Sequence, residues 1–120
     1  MPSLDIFQTV SVTRDYSAGE LIFSEGQDGG EMFLIKEGEV AIRKGDRILD
    51  ALSAGDIFGE MALISSEPRS ASAVAFTNCC LLPVNEERFL FLVQQTPYFS
   101  LHVMGVLAGR LRDRTRAEST

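Results

Sequence analysis

The sequence predicts a mainly β domain: an eight-stranded antiparallel roll of jelly-roll type, with one short helix set into it and two α-helices at its C-terminal end. Three observations carry this. From about residue 6 to residue 84 the chain is a series of short apolar or alternating runs, parted by glycine-bearing turns at hairpin spacing. At Asn85 that pattern gives way to helical spacing, which lasts to about residue 116. The 120 residues contain no repeat, low-complexity tract or obvious linker, so a single domain over 1–120 accounts for them.

Ile6 to Tyr16 is mixed and β-prone, an irregular first strand, and Ser17-Ala18-Gly19 is a turn. Glu20 to Ser24 reads as a strand with Leu21 and Phe23 on one face. Glu25 to Gly30 holds three glycines and an Asp and is a loop; lacking a Lys-Ser/Thr pair, it is not a P-loop. Met32 to Ile35 is a continuous apolar strand, closed by a tight turn at Lys36-Glu37-Gly38. Val40 and Ile42 alternate with Glu39, Ala41 and Arg43. Gly45-Asp46 is a two-residue hairpin connection to the return strand Ile48 to Leu52. Gly55 and Gly59 bracket a short apolar segment, and Glu60-Met61-Ala62-Leu63 are good helix formers. Ala71 to Phe76 and Cys79 to Val84 are expected to pair around Thr77-Asn78.

Asn85 is an N-cap, with Glu86 and Glu87 in the first turn where the helix dipole favours them. Phe89, Leu90, Leu92 and Val93 make the apolar stripe of that helix. Thr96-Pro97 caps and opens the next. Phe99, Val103, Leu107 and Leu111 then recur every four residues, and Arg110, Arg112, Arg114 and Arg116 make the end of the helix basic.

Apolar residues are 45% and charged residues 23% of the chain, an ordinary globular mix. A chain of this length buries about two-thirds of its unfolded surface. The net charge of -6 argues against a general nucleic-acid surface, and any anion site must be a local positive pocket. No apolar run approaches the ~20 residues of a membrane span. Met-Pro-Ser-Leu-Asp lacks the basic start of a signal peptide, so a cytoplasmic location is expected. The two cysteines, Cys79 and Cys80, are adjacent; in a strand they point to opposite faces, a poor geometry for a disulfide, and they read as free thiols. His102 is the only histidine and reads as a surface or interface residue. It cannot by itself build the two- or three-histidine metal centre of a cupin-type enzyme. No paired carboxylates suit acid–base work, so neither catalytic nor metal-binding residues are expected.

The functional signal is concentrated between Gly55 and Ala71. Gly59 permits close approach of a ligand to the backbone, and a helix turn opening there offers free N–H groups to an anion. Behind the stiffening Pro68, Arg69 offers a guanidinium fork suited to phosphate. The Glu60 carboxylate can accept hydrogen bonds from sugar hydroxyls. The small residues Ser70, Ala71, Ser72 and Ala73 let a ligand lie close to the strand. A phosphate clamp beside a hydroxyl acceptor suits a nucleotide.

The run Phe58-Gly59-Glu60-Met61-Ala62-Leu63, followed after five residues by Arg69-Ser70-Ala71, resembles the phosphate-binding cassette of cyclic nucleotide-binding domains. That family includes regulatory domains of protein kinase A, cytoplasmic domains of cyclic nucleotide-gated channels and the bacterial catabolite activator protein. The resemblance extends from about Tyr16 to Arg114. It implies a cyclic mononucleotide ligand, cAMP with cGMP as the open alternative, since the Ser70 hydroxyl is compatible with both. It places Phe58, Gly59, Glu60, Met61 and Ala62 at the ligand, with Gly59, Met61 and Ala62 as backbone donors and Glu60 accepting from the ribose 2′-OH. Arg69 takes the phosphate, flanked by Ser70 and Ala71.

The resemblance also implies that filling the cassette repositions Leu63, that the first C-terminal helix follows through Phe89 and Leu90, and that the last helix closes over the base. Arg110 or Arg114 would stack on the purine; a solvated basic helix end is the other reading of either. The implied function is that of a sensor, not an enzyme, with no cofactor beyond the ligand. Its output would pass to a protein partner or an effector domain outside this sequence, and the helix from Leu101 to Leu111 is a candidate homodimer surface. The alternative is the same fold kept as a nucleotide-free structural or interaction domain, which an intact Glu60 and Arg69 argue against.

Overall fold

The computed structural model describes the main chain of residues 12–63 and 67–119, and the side chains of all of these except 107 and 110–119. The described residues form eight strands: β1 (Arg14–Tyr16), β2 (Leu21–Phe23), β3 (Glu31–Glu37), β4 (Val40–Lys44), β5 (Arg47–Leu52), β6 (Ile57–Phe58), β7 (Ser72–Ala75) and β8 (Cys79–Asn85). A single 3-10 turn, Glu60–Leu63, follows β6, and two helices, α1 (Glu86–Gln95) and α2 (Pro97–Ser119), follow β8. All strand pairings are antiparallel, in two four-stranded sheets ordered β1-β8-β3-β6 and β2-β7-β4-β5. The mainly β roll with its short inserted helix and two terminal helices is thus the fold that the strand and helix periodicities predict.

The unbroken apolar runs of β3 and β8 have a simple cause: both strands are buried on two sides. Met32, Leu34, Leu82 and Val84 pack outward with Ile57 against Leu92, Phe99 and Val103 of the helices. Phe33, Ile35, Cys79 and Leu81 point the other way, into the space between the sheets, where they meet Phe23, Val40, Leu52, Phe58, Ala73 and Ala75. Each fully buried large apolar side chain contributes about 1.5–3 kcal/mol. The helices are therefore a lid on the β3–β8 sheet, and this outer core is what attaches them to the roll. Asn85 caps α1 as its side chain predicts, accepting from the Arg88 amide at 2.8 Å. α2 starts at Pro97, with the Phe99 amide bonded to the Thr96 carbonyl at 2.9 Å.

Four expectations are corrected. Residues 71–76 and 79–84 do not form a hairpin: β7 pairs with β2 and β4, while β8 pairs with β1 and β3. Thr77-Asn78 is the crossing between sheets, fixed by distant partners. Thr77 Oγ1 accepts from the Glu39 amide and Asn78 Oδ1 from the Ala18 amide, both at 2.9 Å. Leu21 and Phe23 do not share an environment, because the ladder to β7 is bulged between them; Phe23 is buried and Leu21 exposed. β3 continues through Lys36 and Glu37, so of the three residues expected in the turn only Gly38, at φ +98°, lies outside the strand. Leu90, assigned to the buried stripe of α1, is 60% exposed, whereas Leu92 is buried and Phe89 and Val93 pack on the outer core. Of the predicted first strand, residues 6–11 lie outside the described residues.

Candidate functional site

The segment after β6 turns back on itself at Gly59, whose φ of +74° lies in the left-handed region that a Cβ disfavours. The four residues that follow close a 3-10 turn, with the Ala62 amide donating to the Gly59 carbonyl at 3.2 Å. That amide, expected to face a ligand, is committed to the turn in this structure. Glu60 opens the turn and is only 3% exposed. Burial of a carboxyl group is costly unless polar partners surround it.

Arg69 reaches the same turn from the far end of the loop. Its main chain is pinned on both sides to the glycine-rich loop after β2: its amide donates to the Gln27 carbonyl at 2.9 Å, and its carbonyl accepts from the Gly26 amide at 2.8 Å. The Glu25 amide adds a bond to Ser72 Oγ at 2.8 Å. The guanidinium then runs inward. Nη1 donates to the Gly59 carbonyl at 3.1 Å and Nη2 to the Glu31 carbonyl at 2.7 Å. Cζ stands 4.0 Å from the centroid of the Phe23 ring, a cation–π contact. Phe23 is itself held by Phe33 and Phe58, whose rings stack at 5.2 Å.

Two glycines leave room for this arrangement. A Cβ on Gly59 would stand 2.9 Å from Arg69 Nη1, and one on Gly29 would collide with Nε, Cζ and Nη2 of the same side chain. Each Nη carries two hydrogens and gives one to a carbonyl, which among the described residues leaves one on each for an anion. Nε is buried and makes no hydrogen bond among the described residues. Burial lowers the pKa of the guanidinium, opposed by the nearby Glu31 carboxylate, and the group remains a cation at neutral pH. The Glu31 carboxylate turns outward to Arg14, forming an ion pair at 3.4 Å.

Of the residues singled out from sequence, the structure brings together Gly59, Glu60 and Arg69. Met61 is 56% exposed and Ser70 is exposed, while Ala62 and Ala71 are half-buried. The Phe58 side chain is in the inter-sheet core, so only its main chain faces the turn. Leu63 and Phe89 pack against the same outer core, and Phe89 meets Phe99 edge-on at 5.5 Å. Leu90 faces outward. Residues 64–66 of the cassette, and the side chains of Leu107, Leu111, Arg110 and Arg114, lie outside the described residues. Sequence reading missed Phe23, Gly29 and Glu31. The only signal was the density of glycine in residues 26–30, which composition could not connect to an arginine forty residues later.

Among the described residues no cluster of three or more His, Cys, Asp or Glu side chains could hold a metal ion, and no helix is long and apolar enough to cross a membrane. His102 is half-buried on α2. Cys79 and Cys80 are free thiols, the first buried.

Residues 13–96 match the family model described as the cyclic nucleotide-binding domain. The chain is 35% identical over 105 residues to the cyclic AMP receptor protein of Thermus thermophilus, covering 83% of this chain and 49% of that one. It is also 35% identical over 108 residues to a cGMP-dependent protein kinase of Toxoplasma gondii, covering 90% of this chain and 10% of the kinase. It spans no more than half the length of either relative. The crystal structure of Thermus thermophilus catabolite activator protein superposes with a TM-score of 0.79 at 33% identity, covering 94% of this chain and 56% of that one.

Proposed function

We propose that this chain, which belongs to the cyclic nucleotide-binding domain family, is a cytoplasmic sensor module that binds cAMP, with cGMP as the competing ligand. The observation that carries the reading is the meeting of Arg69 with the Gly59 turn: a half-buried cation, its two Nη groups each keeping one hydrogen unused among the described residues, set against a main-chain turn that follows a left-handed glycine. A cyclic phosphodiester is a monoanion with two exocyclic oxygens, and a guanidinium fork matches it. In this reading Gly59 and Met61 add main-chain donors, Glu60 accepts from the ribose 2′-OH, and Ser70 and Ala71 flank the phosphate. The Ala62 amide would join only if the turn loosened. Arg110 or Arg114 would cover the base.

Leu63 connects the cassette to the core beneath the helices, where it shares a cluster with Phe89, Leu92 and Phe99. A ligand that favours one position of this turn would bias the seating of α1 and α2, since only differential binding shifts a conformational equilibrium. Leu90 would report this movement from the outer surface instead of from the core. The exposed side of the two helices also carries Phe91, Tyr98, Leu101 and Met104. In our reading a second copy of the chain covers it; sedimentation as a monomer at all concentrations would remove that part. An effector partner receives the signal, and no chemistry is performed on the nucleotide.

Calorimetric titration of cAMP and of cGMP into the wild type and Arg69→Ala tests the proposal. The wild type should bind at least one nucleotide, and Arg69→Ala should weaken it at least tenfold. At 100 times the dissociation constant, ligand should stabilise the wild type by about 2.7 kcal/mol. Absence of heat and of any melting shift with both nucleotides would replace the sensor with a nucleotide-free interaction domain.

A further inference from the structure

The Arg69 guanidinium lies in a slot with four sides. The Phe23 ring is one broad face, with Cζ 4.0 Å from its centroid. The main chain at Gly29 is close enough to the group that a single added carbon would overlap Nε, Cζ and Nη2. The carbonyls of Gly59 and Glu31 hold the two Nη ends. Gly29 has no positive φ, so its backbone conformation does not call for glycine. The neighbouring Gly30 has no positive φ either, and a Cβ there would meet nothing within 4 Å. Of these two adjacent glycines, only Gly29 is explained by what stands opposite it, and what stands opposite is Arg69.

We propose that Gly29 is a positioning residue for anion binding: the lack of a side chain there is what lets the Arg69 guanidinium lie against Phe23, with its ends on Gly59 and Glu31. The proposal rests on the reading of Arg69 as the phosphate ligand. An alanine at this position acts on the far end of a flexible side chain, which can swing away without disturbing the backbone ladder. The fold therefore survives, and the fixed direction of the fork is what is lost. A guanidinium that must be reoriented at each binding event gives up the advantage of a preorganised site.

The test is a double-mutant cycle on the full chain, read by calorimetric titration of cAMP and cGMP alongside ligand-free melting. Gly29→Ala should weaken binding at least tenfold with a ligand-free melting temperature near that of the wild type. Gly30→Ala should stay within about twofold of the wild type. In an Arg69→Ala background, where residual binding is measured at high nucleotide concentration, Gly29→Ala should add no further loss, because the two act as one unit. Wild-type affinity in Gly29→Ala, or an equal loss in both backgrounds, overturns the proposal while leaving the sensor reading intact. A wild type that binds neither nucleotide overturns the sensor reading and this proposal with it. Should Gly29→Ala fail to fold, the Gly29→Ala/Arg69→Ala protein must fold, since the collision is with the guanidinium. If that double variant is also unfolded, Gly29 serves the loop and not the arginine.

Discussion

Arg69 and Glu31 are joined through the main chain, not through their charges: Nη2 of Arg69 donates to the Glu31 carbonyl at 2.7 Å, while the Glu31 carboxylate turns away to Arg14. The acidic side chain is therefore not what fixes the arginine. It supplies only a Coulombic contribution to a group positioned by backbone oxygens and an aromatic face.

Glu31→Gln keeps that carbonyl and removes the carboxylate. The Arg14 pair it breaks is substantially solvent-exposed, and such pairs contribute roughly 0–1 kcal/mol. Urea denaturation of Glu31→Gln should show a stability loss below about 1 kcal/mol, and its nucleotide affinity should stay within several-fold of the wild type. A loss comparable to that of Arg69→Ala would mean that the carboxylate holds the site.

Phe99 and Leu90 sit on opposite sides of the helical lid. Phe99 is fully buried, edge-on to Phe89, in the core that fastens α1 and α2 to the roll. Phe99→Ala should cost about 3–5 kcal/mol, with lost protection of α2 amides in hydrogen exchange. Leu90→Ala should change monomer stability by no more than about 0.5 kcal/mol. Equal effects from the two would mean that Phe99 does not fasten the helices to the roll.

Cys79 gives a pH signature. Its thiol is buried and donates to the Glu39 carbonyl at 3.1 Å; burial raises its pKa above the usual value. The folded state thus favours the neutral thiol over the thiolate more than the unfolded state does. That contribution is complete below the ordinary thiol range, near pH 8.5, and fades as pH rises through the raised folded value. Thermal melts from pH 7 to 10 should show the wild type losing more stability than Cys79→Ala over the alkaline part. Parallel curves would mean that Cys79 ionises equally well in both states.

The local elements could be read from the chain because their causes are local. The Gly45-Asp46 connection, the alternation through Val40 and Ile42, and the Asn85 cap depend on neighbours within a few residues. The pairing of β7 and β8 could not. Two alternating runs around Thr77-Asn78 look like a hairpin, and what separates them into different sheets is bonding to Glu39 and Ala18, 38 and 60 residues away. The site divides in the same way. Glu60 and Arg69 announce themselves by chemistry and spacing. Gly29 contributes only empty space and Phe23 only a ring face, and neither has meaning until the loop folds over the arginine.

Because β3 is apolar on both sides, its hydrophobic pattern cannot determine its own alignment. A strand with one wet face pins its register, since slipping one place would expose its oily side chains. Slipping β3 would only exchange Met32 and Leu34 with Phe33 and Ile35 between two dry compartments. The alignment must be set at its ends: by Glu31, whose carbonyl Arg69 grips, and by Gly38, where any Cβ would strike the Asn78 carbonyl and Cys79. A side chain introduced at Gly38 would therefore threaten more than one turn, because it loosens one of the two stops that keep the central strand from sliding.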